Sequence, residues 1–205
     1  MLCPVYFVST DRWKNAGPET HKRMFSIFDE AGIFITCCRH RMVLYACDMI
    51  KSGELLLPPV LYWYKCLTSC FSAKYPLAMV NRLLEDVGND VGCAYDIGCA
   101  FSKTLADSRL GAIVWEKHFR MMVGAFHGHA HNRACQLLWH PLYITGSGLT
   151  EGEGCEHVFA SSNELARNTR HSSRFHRTQA IEDHFHFWDE DKYALLSPCY
   201  FHFYT

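Results

Sequence analysis

A short apolar run that ends on an aspartate occurs twice in this chain, and it limits the fold more than any other feature. Val5 to Ser9 runs into Thr10-Asp11, and Val91 to Tyr95 runs into Asp96. Runs of this length bounded by polar residues predict strands rather than helices. Each strand would deliver its aspartate at its C-terminal end.

Other segments complete the pattern. Gly17 to Asp29 reads as a short helix or loop introduced by Pro18. Gly32 to Cys38 and Met42 to Asp48 are β-prone and separated by the polar Arg39-His40-Arg41, which predicts a hairpin. Lys74 to Val87 places Leu77, Val80, Leu83, Leu84 and Val87 on one helical face, and Gly88 ends the helix. Cys99 to Ala106 is expected to be helical. Met121 to Phe126 is a fifth apolar run, Gly146-Ser147-Gly148 a turn, and Glu153 to Arg167 a helix. Three strands, a helix, a strand, a helix, a strand and a helix is the order of a ribonuclease-H-like α/β fold. The expected architecture is a mixed sheet flanked by helices, with a His/Cys-containing insertion before the last helix.

With 205 residues and 49% apolar composition, the chain can bury one sizeable core, so residues 1–205 are expected to form a single domain. Residues 56–72, LLPPVLYWYKCLTSCFS, interrupt the pattern with paired prolines and clustered aromatics, and are too short and broken for a membrane span. The net charge of −1 provides no overall attraction to nucleic acid. The one basic stretch, Arg167, Arg170, His171, Arg174, His176 and Arg177, is balanced by the acidic segment from Glu182 to Asp191 and reads as a solvated helix face. The N-terminus, MLCPVYFVSTDRW, lacks the basic n-region of a secretory signal, so a disulfide framework is a poor explanation for the eleven cysteines. Most of them are expected to be small buried residues.

Two groups of residues carry chemistry. Asp11 and Asp96 at strand ends, with Glu153 or Glu156 on a later helix, form the carboxylate set that two-metal phosphoryl transfer needs. Such sites hold divalent ions about 3.5–4 Å apart, and magnesium suits an all-oxygen set. Glu153 and Glu156 are three apart and would share a helix face, so either can be the ligand. His127, His129 and His131 would project from one side of an extended segment with Cys135 close behind, a combination that favours zinc. His-x-His-x-His also partly resembles the His-x-His-x-Asp-His motif of metallo-β-lactamase-type hydrolases, but the aspartate is lacking at the expected place, with Ala130 and Asn132 around His131.

Seven motifs follow one another in the order seen in a known family. They are Asp11-Arg12-Trp13-Lys14-Asn15-Ala16-Gly17-Pro18-Glu19; Gly32-Ile33-Phe34 with Cys38-Arg39-His40; Asp48-Met49-Ile50-Lys51-Ser52-Gly53-Glu54-Leu55; Ala73-Lys74-Tyr75-Pro76-Leu77-Ala78; Tyr95-Asp96-Ile97-Gly98-Cys99; Phe126-His127-Gly128-His129-Ala130-His131-Asn132-Arg133 with Cys135-Gln136; and Gly152-Glu153-Gly154-Cys155-Glu156. In this the chain resembles the Kyakuja-Dileera-Zisupton transposases, which are abundant in fungal mobile elements. The resemblance implies a ribonuclease-H-like catalytic core of the Asp-Asp-Glu type that cleaves and joins DNA at transposon ends with Mg2+ or Mn2+, in the nucleus. It matches Asp11 to the first acid, Asp96 to the second and Glu153 or Glu156 to the third. His127, His129, His131 and Cys135 would form a structural zinc or packing element between the second and third acids. In the family pattern the Ser-Gly-Glu-Leu and Ala-Lys-Tyr-Pro-Leu-Ala motifs are adjacent, so residues 56–72 are expected to be an insertion or an intron-derived segment. Family members carry further sequence on both sides, which makes this chain a core fragment by expectation, either active or a degenerate remnant.

Overall fold

The computed structural model describes residues 3–8, 30–50 and 73–203. Asp11, the helix or loop expected over Gly17 to Asp29, and the segment 56–72 lie outside the described residues.

The described strands are β1 (Cys3–Val8), β2 (Glu30–Cys38), β3 (Val43–Ile50), β4 (Val91–Tyr95) and β5 (Arg120–Met122). They form one mixed sheet in the order β3-β2-β1-β4-β5. β1 pairs antiparallel with β2, and β2 antiparallel with β3. β4 runs parallel to β1 on one side and to β5 on the other. β1, β4 and β5 therefore end at the same edge, the position where open α/β sheets place their ligands.

Both sheet faces are covered, and the alternation of side chains along the strands explains how. On one face Phe34, Val91, Cys93 and Tyr95 pack with Met79, Val80, Leu83 and Leu84 of helix α1 (Lys74–Asp86) and with Phe101 and Leu105 of helix α2 (Gly98–Ala106). On the other, Ile35, Cys37 and Ala94 meet Cys155 and Val158 of α6 (Gly154–Thr169) and Phe185 of α7 (Arg174–Phe203). Every residue of β4 is buried, as expected of a parallel strand with helices on both faces.

Between β4 and α6 the chain forms α3 (Gly111–Glu116), α4 (Ala125–Gly128), α5 (Arg133–Trp139) and a 3-10 turn at Pro141–Tyr143. Only Met121 and Met122 of the fifth apolar run lie in a strand. After Met122 the Val123 amide bonds to the Trp139 carbonyl, and the Ala125 amide to that of Glu151. The chain has left the sheet by then, and Ala125 to Phe126 begin α4. Bounds shift elsewhere by a residue or two: β3 covers Val43–Ile50 rather than Met42 to Asp48, and Glu153 is the N-cap of α6 rather than its first helical residue.

The 30-residue α7 braces the hairpin. Arg177 pairs with Asp48 at 2.5 Å, Trp188 Nε1 donates to the Arg41 carbonyl at 2.7 Å, and Asp189 accepts from the Val43 amide at 2.9 Å. Burial raises the Asp189 pKa, while the Val43 amide acts against that shift. Arg174 also approaches Glu30 at 3.7 Å. Part of the basic stretch is thus spent on internal docking, while Arg167, Arg170, His171 and His176 are exposed. Cys37, Cys38, Cys47, Cys93, Cys99, Cys135 and Cys155 are unbridged, and Cys37, Cys93 and Cys155 are buried. No helix among the described residues is long and apolar enough to cross a membrane.

Candidate functional site

Asp96 follows β4 directly, and His127 lies in α4, five residues beyond the end of β5. His127 Nδ1 lies 2.9 Å from Glu153 Oε2 and 3.6 Å from Asp96 Oδ1, while its Nε2 lies 3.8 Å from Glu156 Oε1. Three of the four carboxylates singled out in the sequence therefore converge on one imidazole at the C-terminal edge of the parallel strands. β1 ends at Val8, three residues before Asp11.

Glu153 is held through both of its oxygens. Its Oε1 accepts from the Phe126 amide at 2.9 Å and the His127 amide at 3.3 Å, and its Oε2 takes the ring contact. Two glycines make room for this. A Cβ at Gly124 would land on the Glu153 carboxylate. Gly152 has φ +77°, and a Cβ there would stand 3.0 Å from the Ala94 Cβ and 3.1 Å from the Gly124 Cα. The Gly-Glu-Gly sequence is thus a close approach of backbone to β4, with the carboxylate bedded under α4.

The hydrogen bond to Glu153 raises the His127 pKa to about 9; burial opposes the shift, and the charges of Asp96, Glu153 and Glu156 reinforce it. His127 is a cation at neutral pH, outnumbered by the carboxylates around it. Glu156 is the more exposed glutamate, with a quarter of its side chain open to solvent against a tenth for Glu153.

The histidines do not act as one set, which corrects the expectation of an extended segment. Residues 125–128 are helical, and the backbone continues in turns through His131. Residues two apart then point in different directions. His127 faces the acids, His129 is exposed, and His131 turns to a separate group. A zinc hydrolase built on His127, His129 and His131 needs them to converge, and they do not.

That separate group contains a residue the sequence reading missed. His131 Nδ1 lies 3.4 Å from Cys99 Sγ and 3.2 Å from Cys135 Sγ, and the three donor atoms all lie within 4.8 Å of one another. This Cys/His cluster could hold a metal such as zinc. Burial, and then the neighbouring Cys99, push the Cys135 thiol up to about 11. The only signal for Cys99 was its place in Tyr95-Asp96-Ile97-Gly98-Cys99, one helical turn after the aspartate.

A protein-family model described as Kyakuja-Dileera-Zisupton transposase matches residues 8–189. No curated protein and no solved structure matches the chain.

Proposed function

Because the chain belongs to the Kyakuja-Dileera-Zisupton transposase family, we propose that it is a DNA transposase core of the Asp-Asp-Glu type, with Asp11, Asp96 and Glu156 as the carboxylates that bind Mg2+ or Mn2+. The observation that carries this reading is the convergence of Asp96, Glu153 and Glu156 at the C-terminal edge of β4. An all-oxygen donor set suits a hard divalent ion.

The sheet order β3-β2-β1-β4-β5, antiparallel over its first three strands and parallel thereafter, supports a ribonuclease-H-like core. We read residues 1–205 as one such core, with residues 56–72 as an insertion. DNA ends are the substrate that family membership favours, and the nucleus is where such a protein would meet them.

The two glutamates then have separate roles. Both Glu153 oxygens already accept bonds from the α4 backbone and the His127 ring, so Glu153 is a positioning residue. Glu156, nearer solvent and beyond hydrogen-bond range of His127, is the third ligand. Bound magnesium supplies Lewis-acid activation of the attacking oxygen and stabilisation of the leaving one. The protein's own part is to hold the carboxylates beside a fixed imidazolium, which offsets part of their mutual repulsion when no metal is bound.

The test is magnesium- or manganese-dependent nicking of DNA by the purified chain. Activity that disappears in Asp96→Ala supports the reading. A folded chain with no nicking under either ion would mark it as a remnant that has kept the fold and lost the reaction.

A further inference from the structure

Cys99, His131 and Cys135 form a donor set that the carboxylate chemistry does not use. Two sulfurs and an imidazole nitrogen are soft to borderline ligands, the wrong choice for magnesium and the right one for zinc. In a tetrahedral zinc site with Zn–S of about 2.3 Å and Zn–N of about 2.0 Å, donor atoms stand roughly 3.5–3.8 Å apart. The S–N separations here, 3.4 and 3.2 Å, need to open only slightly to admit an ion.

Each ligand's backbone is fixed by a neighbour. The Asn132 side chain accepts from the Cys135 amide at 2.9 Å, capping α5, and Gln136 Nε2 donates to the His131 carbonyl at 2.9 Å. Ser102 Oγ donates to the Cys99 carbonyl at 3.0 Å. His131 and Cys135 are thus held in register across the start of α5, and Cys99 is held within the first turn of α2. A site assembled this way loses little conformational freedom when an ion enters.

We propose that Cys99, His131 and Cys135 bind one zinc ion, with water in the fourth position, and that this ion ties α2 to α5 directly behind the carboxylate centre. On binding, the two thiols release their protons to solvent and the neutral imidazole donates the Nδ1 lone pair, so two thiolates balance the ion's charge. Among the described residues no further cysteine, histidine or carboxylate joins the three. Cys99 follows Asp96 by three residues and His131 follows His127 by four, so the ion joins the two segments that carry those groups. The site does not depend on whether the carboxylates bind magnesium.

Cobalt(II) titration of the 205-residue chain under reducing conditions tests this. A two-thiolate tetrahedral site is expected to give a near-ultraviolet sulfur-to-cobalt charge-transfer band with visible ligand-field bands, saturating at one ion per chain and bleached by zinc. Cys99→Ser and Cys135→Ser should each lower cobalt affinity at least tenfold. Cys38→Ser, a control at a half-exposed cysteine outside the cluster, should leave it unchanged, and so should Asp96→Asn. Because a ligand variant can fail to fold, X-ray absorption on the zinc-loaded wild type is the second measurement, with two sulfurs and nitrogen or oxygen neighbours expected. A folded wild type with no charge-transfer band, a band that survives Cys99→Ser and Cys135→Ser together, or a sulfur-free zinc shell would each overturn the proposal. Loss of nicking in Asp96→Asn with cobalt binding intact would separate this site from the carboxylate reading.

Discussion

The carboxylate centre and the Cys/His cluster are one helical turn apart along two stretches of chain, yet they differ in nearly every chemical respect. Asp96 and Cys99 come from one stretch, His127 and His131 from the other, so a single crossing of α2 by the α4–α5 segment builds both. The first gathers oxygen donors around His127, the second sulfur donors around His131. A helical turn is enough to separate them because side chains three or four residues apart stack along a face but lie about 5–6 Å from each other. Hard and soft ligands can therefore be sorted into neighbouring sites without a separate domain.

The sharpest way to break this contrast is at the acids. Asp96→Asn should reduce metal-dependent nicking by at least about a hundredfold, while the exposed Asp107→Asn should retain it; equal activities in the two variants would remove the carboxylate centre from the reaction. The glutamates come next. Glu156→Gln should lose nicking with the fold intact, whereas Glu153→Gln, which disturbs a buried acceptor of three bonds, should also cost about 1–3 kcal/mol in urea unfolding. If the losses fall the other way round, the assignment of the third acid reverses. Gly124→Ala pushes a methyl group against the Glu153 carboxylate and should destabilise by about 1–3 kcal/mol, read from the same transitions. His129→Ala, exposed and in neither site, should shift stability by no more than about 0.5 kcal/mol and leave cobalt affinity as it was.

Local pattern made much of the scaffold legible. The hairpin, α1 and β4 were each readable because strand alternation and helical periodicity depend on residues close in sequence. Val91 to Tyr95 followed by Asp96 was the clearest case, since a short run that is entirely apolar suits a strand buried on both faces, and its end is marked by the charge. The Met121 to Phe126 run was misleading for the same reason. Its apolar character continues past Met122, but the bonds that pull Val123 and Ala125 out of the sheet come from Trp139 and Glu151, far along the chain. The 30-residue α7 carries so little helical periodicity that its role showed only in its contacts, Arg177 on Asp48 and Asp189 on the Val43 amide.

By itself the sequence determined the family, the strand that presents Asp96, and the pairing of Glu153 with Glu156 near the start of one helix. These are properties of ordered motifs and of spacing within a turn or two. Tertiary structure decided what no spacing carries: that His127 leaves the other histidines to join the acids, that the α4 backbone donates to Glu153, and that Cys99 meets His131 and Cys135. Contacts across 26 to 32 residues depend on how α2, α4 and α5 pack after β4 and β5 are paired. The close fit at Gly124 and Gly152 leaves room for the Glu153 carboxylate under α4, because the backbone there approaches too closely for a larger residue to fit unstrained.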